Sequence, residues 1–159
     1  TLAASGQVDA GIVGRLLESP YFFKMPPKSL DRGDFPDMTN WVADLSDADA
    51  AATLTACAAA SVAAALEMLP AKPERLYLSG GGRKNSTLKQ MLVTYCSTDI
   101  ANVEELGFDG DMVEAQAFAY LAVRVLNGLP TSAPSTTGVA AAVAGGQFSD
   151  PRQGRDQDS

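Results

Sequence analysis

Three consecutive glycines, Gly80-Gly81-Gly82, constrain this chain of 159 residues more than any other feature. Just before them, Leu76 and Leu78 alternate with Arg75 and Tyr77, the pattern of a short strand. Just after them, Asn85, a favoured N-cap residue, opens a run with Leu88, Met91, Leu92 and Tyr95 at helical spacing. Residues 98–103 read as a second strand. A strand, a glycine turn, a helix and a strand make a βαβ unit, whose strands run parallel with a right-handed crossover. The expected class is therefore α/β.

Helices are expected to dominate the remainder. Val8, Ile12, Val13, Leu16 and Leu17 share one helical face, which predicts an amphipathic helix over residues 7–18. Pro20, Pro26 and Pro27 interrupt the next stretch, so residues 19–29 read as an extended connector carrying Tyr21, Phe22 and Phe23. A short helix or turn around residues 35–44 holds Trp41. Ser46-Asp47-Ala48-Asp49 resembles a capping box and starts a helix that runs to about residue 69. Its expected buried stripe is Leu54, Ala58, Val62, Leu66 and Leu69, and Pro70 and Pro73 stop it. A last long helix spans residues 111–127, ended by Gly128 and Pro130. A Pro/Ser/Thr loop (131–137) and a small-residue stretch (138–146) come next. Residues 1–150 are expected to be a single domain segment, and residues 151–159 a polar, disordered tail.

Composition excludes several chemistries. There is no histidine, so neither a Ser-His-Asp nor a Cys-His nucleophile exists within this sequence, nor a zinc site built on imidazole. The two cysteines, Cys57 and Cys96, lack metal or redox spacing and read as packing residues in a reducing compartment. A formal net charge of −7 argues against a nucleic-acid backbone as partner. Residues 56–65 read as a small-residue helix too weakly apolar for a membrane. The chain reads as cytoplasmic and as a piece of something longer.

The glycine turn is the first candidate site. Glycines let a ligand approach the backbone closely, and a helix N-terminus beyond them offers unpaired N–H groups and a positive dipole end. Phosphate or nucleotide binding fits this arrangement, and so does plain turn chemistry. Neither a Walker A loop nor a dinucleotide fingerprint is present. Arg83 and Lys84 either assist phosphate or stand exposed. Glu114 is the second candidate. It shares a helical face with Phe118, Leu121, Ala122 and Val125, which points its carboxylate inward. Spacing favours a capping box with Asp111 over contact with a hydroxylated substrate. Lys24, Lys28 and Arg32 read as a solvated loop, and Tyr21, Phe22, Phe23 and Trp41 as core or interface anchors. Thr136-Thr137-Gly138 supplies hydroxyls that say little alone.

Four segments, in this order, resemble the anhydro-N-acetylmuramic acid kinase family. They are Pro20-Tyr21-Phe22 with Pro26-Pro27-Lys28-Ser29; Ser79-Gly80-Gly81-Gly82 with Asn85; Gly110-Asp111 with Glu114-Ala115 and residues 117–122; and Pro134 with Thr137-Gly138. Leu30-Asp31-Arg32-Gly33 departs from the family's usual Thr-Gly-Arg-Glu, and Lys84 stands where the family often has histidine. The resemblance implies the C-terminal half of a sugar kinase, part of an actin-like ATPase (ribonuclease H-like) domain. It implies ATP and Mg2+, an anhydro amino sugar as substrate, and a homodimer of the full-length protein. It matches Gly80, Gly81, Gly82 and Asn85 to a nucleotide-binding turn. It matches Glu114 to a substrate contact, which reverses the preference for the cap. The general base and the first phosphate loop are expected upstream, with no catalytic residue and no metal ligand in this segment. Another actin-like carbohydrate or acyl kinase, a non-catalytic nucleotide-binding or dimerisation module, and a dinucleotide-binding half remain the alternatives.

Overall fold

Alanine, rather than leucine, fills the centre of the longest helix, and the arrangement of the chain follows from that. A computed structural model describes residues 2–29, 38–147 and 149. The chain divides into two compact units, Thr1–Val113 and Glu114–Ser159.

In the first unit the helices are α1 (Leu2–Ser5), α2 (Ala10–Leu17), α3 (Pro20–Phe23), α4 (Met38–Trp41), α5 (Asp47–Leu66) and α6 (Ser86–Cys96). Ser46 caps α5 as its sequence predicts, its hydroxyl accepting from the Asp49 N–H at 3.2 Å. The start of α5 also anchors the N-terminal segment. Asp49 accepts from the Gln7 N–H at 2.6 Å, and Thr53 accepts from the Asp9 N–H at 3.0 Å. Asp9 in turn caps α2 through the Ile12 N–H.

The buried face of α5 is Ala52, Thr53, Ala56, Cys57, Ala59 and Ala60. The expected stripe is corrected: Leu54 and Leu66 are half-buried, while Ala58, Val62 and Leu69 are exposed. Because α1, α2 and α6 all pack against α5, the small side chains face them and permit close approach, which a row of leucines would prevent. The helix thus separates two small cores. Val13, Leu16, Ala56, Cys57 and Ala60 form one, with Phe22 and Trp41 packed against it. Ala59, Leu92 and Cys96 form the other, closed by Leu76, Leu78 and Ile100 from the sheet. By length and composition α5 is apolar enough to cross a membrane, contrary to the sequence expectation, because alanine raises its hydropathy. Its packing against three helices is that of a core helix.

Strands β1 (Arg75–Leu78) and β2 (Asp99–Asn102) pair in parallel, with Arg75 opposite Asp99 and Leu78 opposite Asn102. The parallel βαβ unit is as expected. Tyr95 of α6 is exposed, and Cys96 takes the inward position. Both cysteines are free and buried, and burial pushes both thiols up, which fits packing rather than reactivity.

Two local differences have simple causes. The connector at residues 19–29 is not extended throughout. It begins with the single helical turn of α3, because Pro20 occupies the first helical position, where its missing N–H costs nothing. The helix expected from residue 7 starts only at Ala10, because Asp9 serves as its cap, and Val8 is exposed. Residues 30–37, including Arg32 and the start of the turn expected at 35–44, lie outside the described residues, as does the tail at 151–159.

The second unit contains α7 (Val113–Leu126), whose first residue belongs to the preceding unit, and the single turn α8 (Pro134–Thr137). Ser132 bridges Val143 antiparallel. Arg124 donates to the Pro130 carbonyl and lies over the Tyr120 ring, fixing the loop after α7.

Candidate functional site

Between β1 and α6 the chain makes a 3-10 turn over Gly81–Lys84. Gly80 has φ 70° and ψ −174°, backbone that an L side chain rarely adopts. Gly81 differs. Its φ is not in the left-handed region, and nothing lies within 4 Å of where a Cβ would stand. Neither backbone conformation nor packing among the described residues requires glycine at this exposed position.

The beginning of α6 is partly occupied. The Asn85 side-chain oxygen accepts from the N–H groups of Thr87 and Leu88, both at 3.1 Å. Two N–H groups that the sequence offered to a phosphate are thus spent on the cap. The free donors of the turn are fewer than the sequence suggested, and the exposed Asn85 keeps its amide nitrogen outside the cap.

Arg83 stands neither exposed nor ready for phosphate. Its side chain is buried, and Nε donates to Glu104 at 2.7 Å. One terminal nitrogen donates to Asp111 and to the Gly80 carbonyl, each at 2.8 Å. Lys84 is exposed and holds the same Asp111 at 2.7 Å. These charge-assisted bonds, to Asp111 first and then Glu104, hold the guanidinium well above its ordinary range. Asp111 is held well below the usual carboxylate range by Arg83 and then Lys84. Glu104 is lowered first by its own backbone N–H and then by Arg83. Two cations balance two carboxylates, so the turn carries little net charge of its own.

Glu114 departs from the sequence expectation. It is exposed rather than inward-facing, and no hydrogen bond or ion pair holds it among the described residues. No capping box with Asp111 forms, since Asp111 is committed to Arg83 and Lys84. Phe118, on the same face, is 64% exposed.

The other candidates resolve as structural. Lys28 donates to the Tyr21 carbonyl at 3.0 Å and sits 4.5 Å from the Tyr21 ring centre. Arg15 stacks 4.1 Å over Trp41. Thr136 and Thr137 direct their hydroxyls to Ala133 and Ser132. Among the described residues no three metal-ligating side chains converge. Sequence reasoning missed Glu104, and only the acid-rich stretch from Glu104 to Asp111 hinted that a buried cation needed partners there.

A helix-rich chain in which a glycine turn joins one strand of a parallel pair to a capped helix belongs to the α/β class. Comparison with known proteins is more specific. The family model for anhydro-N-acetylmuramic acid kinase matches residues 1–150. The chain is 55% identical over 150 residues to the anhydro-N-acetylmuramic acid kinase of Ruegeria sp. (strain TM1040), covering 94% of this chain and 40% of that protein. It is 55% identical to anhydro-N-acetylmuramic acid kinase 1 of Jannaschia sp. (strain CCS1) and 51% identical to the Roseobacter denitrificans enzyme, with the same coverage. The chain belongs to the anhydro-N-acetylmuramic acid kinase family. It spans about two fifths of the length of these relatives, 40% in each case.

Proposed function

We propose that this chain is the C-terminal portion of an ATP-dependent kinase acting on 1,6-anhydro-N-acetylmuramic acid. The reaction opens the anhydro ring with water and phosphorylates the sugar to N-acetylmuramic acid 6-phosphate, in the cytoplasmic recycling of peptidoglycan. Gly80, Gly81, Gly82 and Asn85 form one wall of the nucleotide site, and Glu114 contacts the sugar. Residues 1–150 act as one part of an actin-like fold whose remainder extends the two-stranded sheet, and the full-length protein is a homodimer.

The observation that carries the nucleotide site is Gly81. Its glycine has no purpose in the chain's own packing, whereas a nucleotide lying against the turn would need that space. Asn85 supports the same reading, since its amide nitrogen can donate to a ligand while its oxygen holds the helix. Glu114 is suited to a sugar because an exposed, unpaired carboxylate accepts hydrogen bonds from hydroxyl groups without first breaking others. Magnesium would arrive bound to the ATP phosphates, which supply the oxygen ligands a hard cation prefers. Phosphoryl transfer depends on positioning around the γ-phosphate, and a single wall of the cleft is expected to support binding without turnover.

Calorimetric titration of magnesium ATP into the 159-residue chain tests the site. Wild type should bind, and Gly81→Val should lose binding while keeping its melting temperature. A wild-type chain that ignores ATP, or a Gly81→Val variant that binds normally, overturns the assignment. Steady phosphorylation of the anhydro sugar by this chain alone would overturn the claim of no turnover.

A further inference from the structure

We propose that Arg83 is a positioning residue that clasps the glycine turn to the loop before α7, so that turn and loop behave as one rigid piece. The consequence for ligand binding rests on the nucleotide reading; the geometry does not.

Arg83 reaches three separate stretches of backbone at once. It holds the Gly80 carbonyl at the start of the turn, Glu104 in the 3-10 turn after β2 (Val103–Leu106), and Asp111 just before α7. Backbone and side-chain bonds close the same seam. The Gly80 N–H donates to the Gly110 carbonyl at 2.8 Å, and the Gly110 N–H donates to Glu104 at 3.3 Å. Gly110 is glycine because of the clasp. A Cβ there would fall on Nε, Cζ and Cδ of Arg83, although the backbone at Gly110 needs no positive φ. Gly81 faces open space and Gly110 faces Arg83, so the two glycines serve different purposes.

Removing the buried arginine takes away the donor shared by Glu104 and the Gly80 carbonyl, while Asp111 keeps Lys84. Such a cation beside a candidate phosphate site contributes by holding the turn's shape rather than by touching the anion. Lysine in its place keeps the charge but lacks the planar fork that spans Nε and a terminal nitrogen.

The test uses the full chain with Arg83→Met, Arg83→Lys and Gly110→Ala, reading hydrogen exchange, ATP affinity and helical circular dichroism. The clasp predicts that exchange at the Gly80, Arg83 and Gly110 amides rises together in Arg83→Met, with helicity retained. It also predicts roughly tenfold weaker ATP binding. Arg83→Lys should recover only part of both. Gly110→Ala, which keeps every charge, should reproduce the effect, so the proposal remains open to refutation even where Arg83→Met fails to fold. Faster exchange at the turn with an unchanged Gly110 amide overturns the clasp. Unchanged ATP affinity in a loosened turn overturns the positioning role. A wild-type chain that binds no ATP sinks the nucleotide reading alone, and coupled exchange would then still support the clasp.

Discussion

Helices α5 and α7 look alike in sequence and end in opposite circumstances. Both are rich in alanine and carry an apolar stripe. Helix α5 buries six residues, none larger than threonine or cysteine, whereas α7 buries none of its 14, although Phe118, Leu121 and Val125 line one face. Small side chains let three helices approach α5 closely, and burial followed from the fit of surfaces rather than from the hydrophobicity of a stripe.

The sharpest way to break this contrast is to enlarge a fully buried alanine. Ala56→Leu should lower the unfolding free energy by about 1–3 kcal/mol in urea denaturation, because the close helix contact has no room for the added carbons. A stability equal to wild type would mean that α5 is not the tightly packed wall between two cores. Thr53→Val should cost about 1 kcal/mol, since it removes the acceptor for the Asp9 N–H without changing the volume much. Its reading is the thermal midpoint, and a neutral result would assign the N-terminal docking to packing alone. Asn85→Ala should also cost about 1 kcal/mol by uncapping α6, with helicity near 222 nm falling slightly. Phe118→Ala in α7 should fall within about 0.5 kcal/mol, as for other exposed positions. A loss well beyond that would show that this face is covered in solution.

Acid should distinguish the two regions as well. Asp49, Glu104 and Asp111 all lie in the first unit with carboxyls lowered from ordinary values of 3.8, 4.5 and 3.8. Asp49 owes this first to the Gln7 N–H. A depressed folded pKa means that the unfolded chain binds more protons in that window, so stability rises with pH there. The contribution is complete above the ordinary values and is lost as pH falls below them through the folded ones. Urea midpoints should be flat near neutrality and drop below about pH 4, with Asp111→Asn flattening part of the drop. A midpoint independent of pH down to that region would remove these carboxylate contacts from the account.

Local features were legible in the sequence. The cap at Ser46 follows from an Asp three residues on, and the cap at Asn85 from an asparagine placed just before a helical run, within reach of the first backbone N–H groups. The βαβ order could be read because alternation, glycines and helical spacing succeed one another without interruption. The inward face of α5 could not be read, since two faces of that helix are apolar and only the neighbours distinguish them. Glu114 illustrates the same gap: its stripe predicted an inward carboxylate, but its side chain is exposed.

The sequence by itself determined the long helices, the parallel unit, the glycine turn and the family, because each depends on residues adjacent in the chain or on a motif. Tertiary structure alone decided that Arg83 is a buried clasp. Its carboxylate partners lie 21 and 28 residues away, and a cation's burial depends on whether folding brings such partners to it.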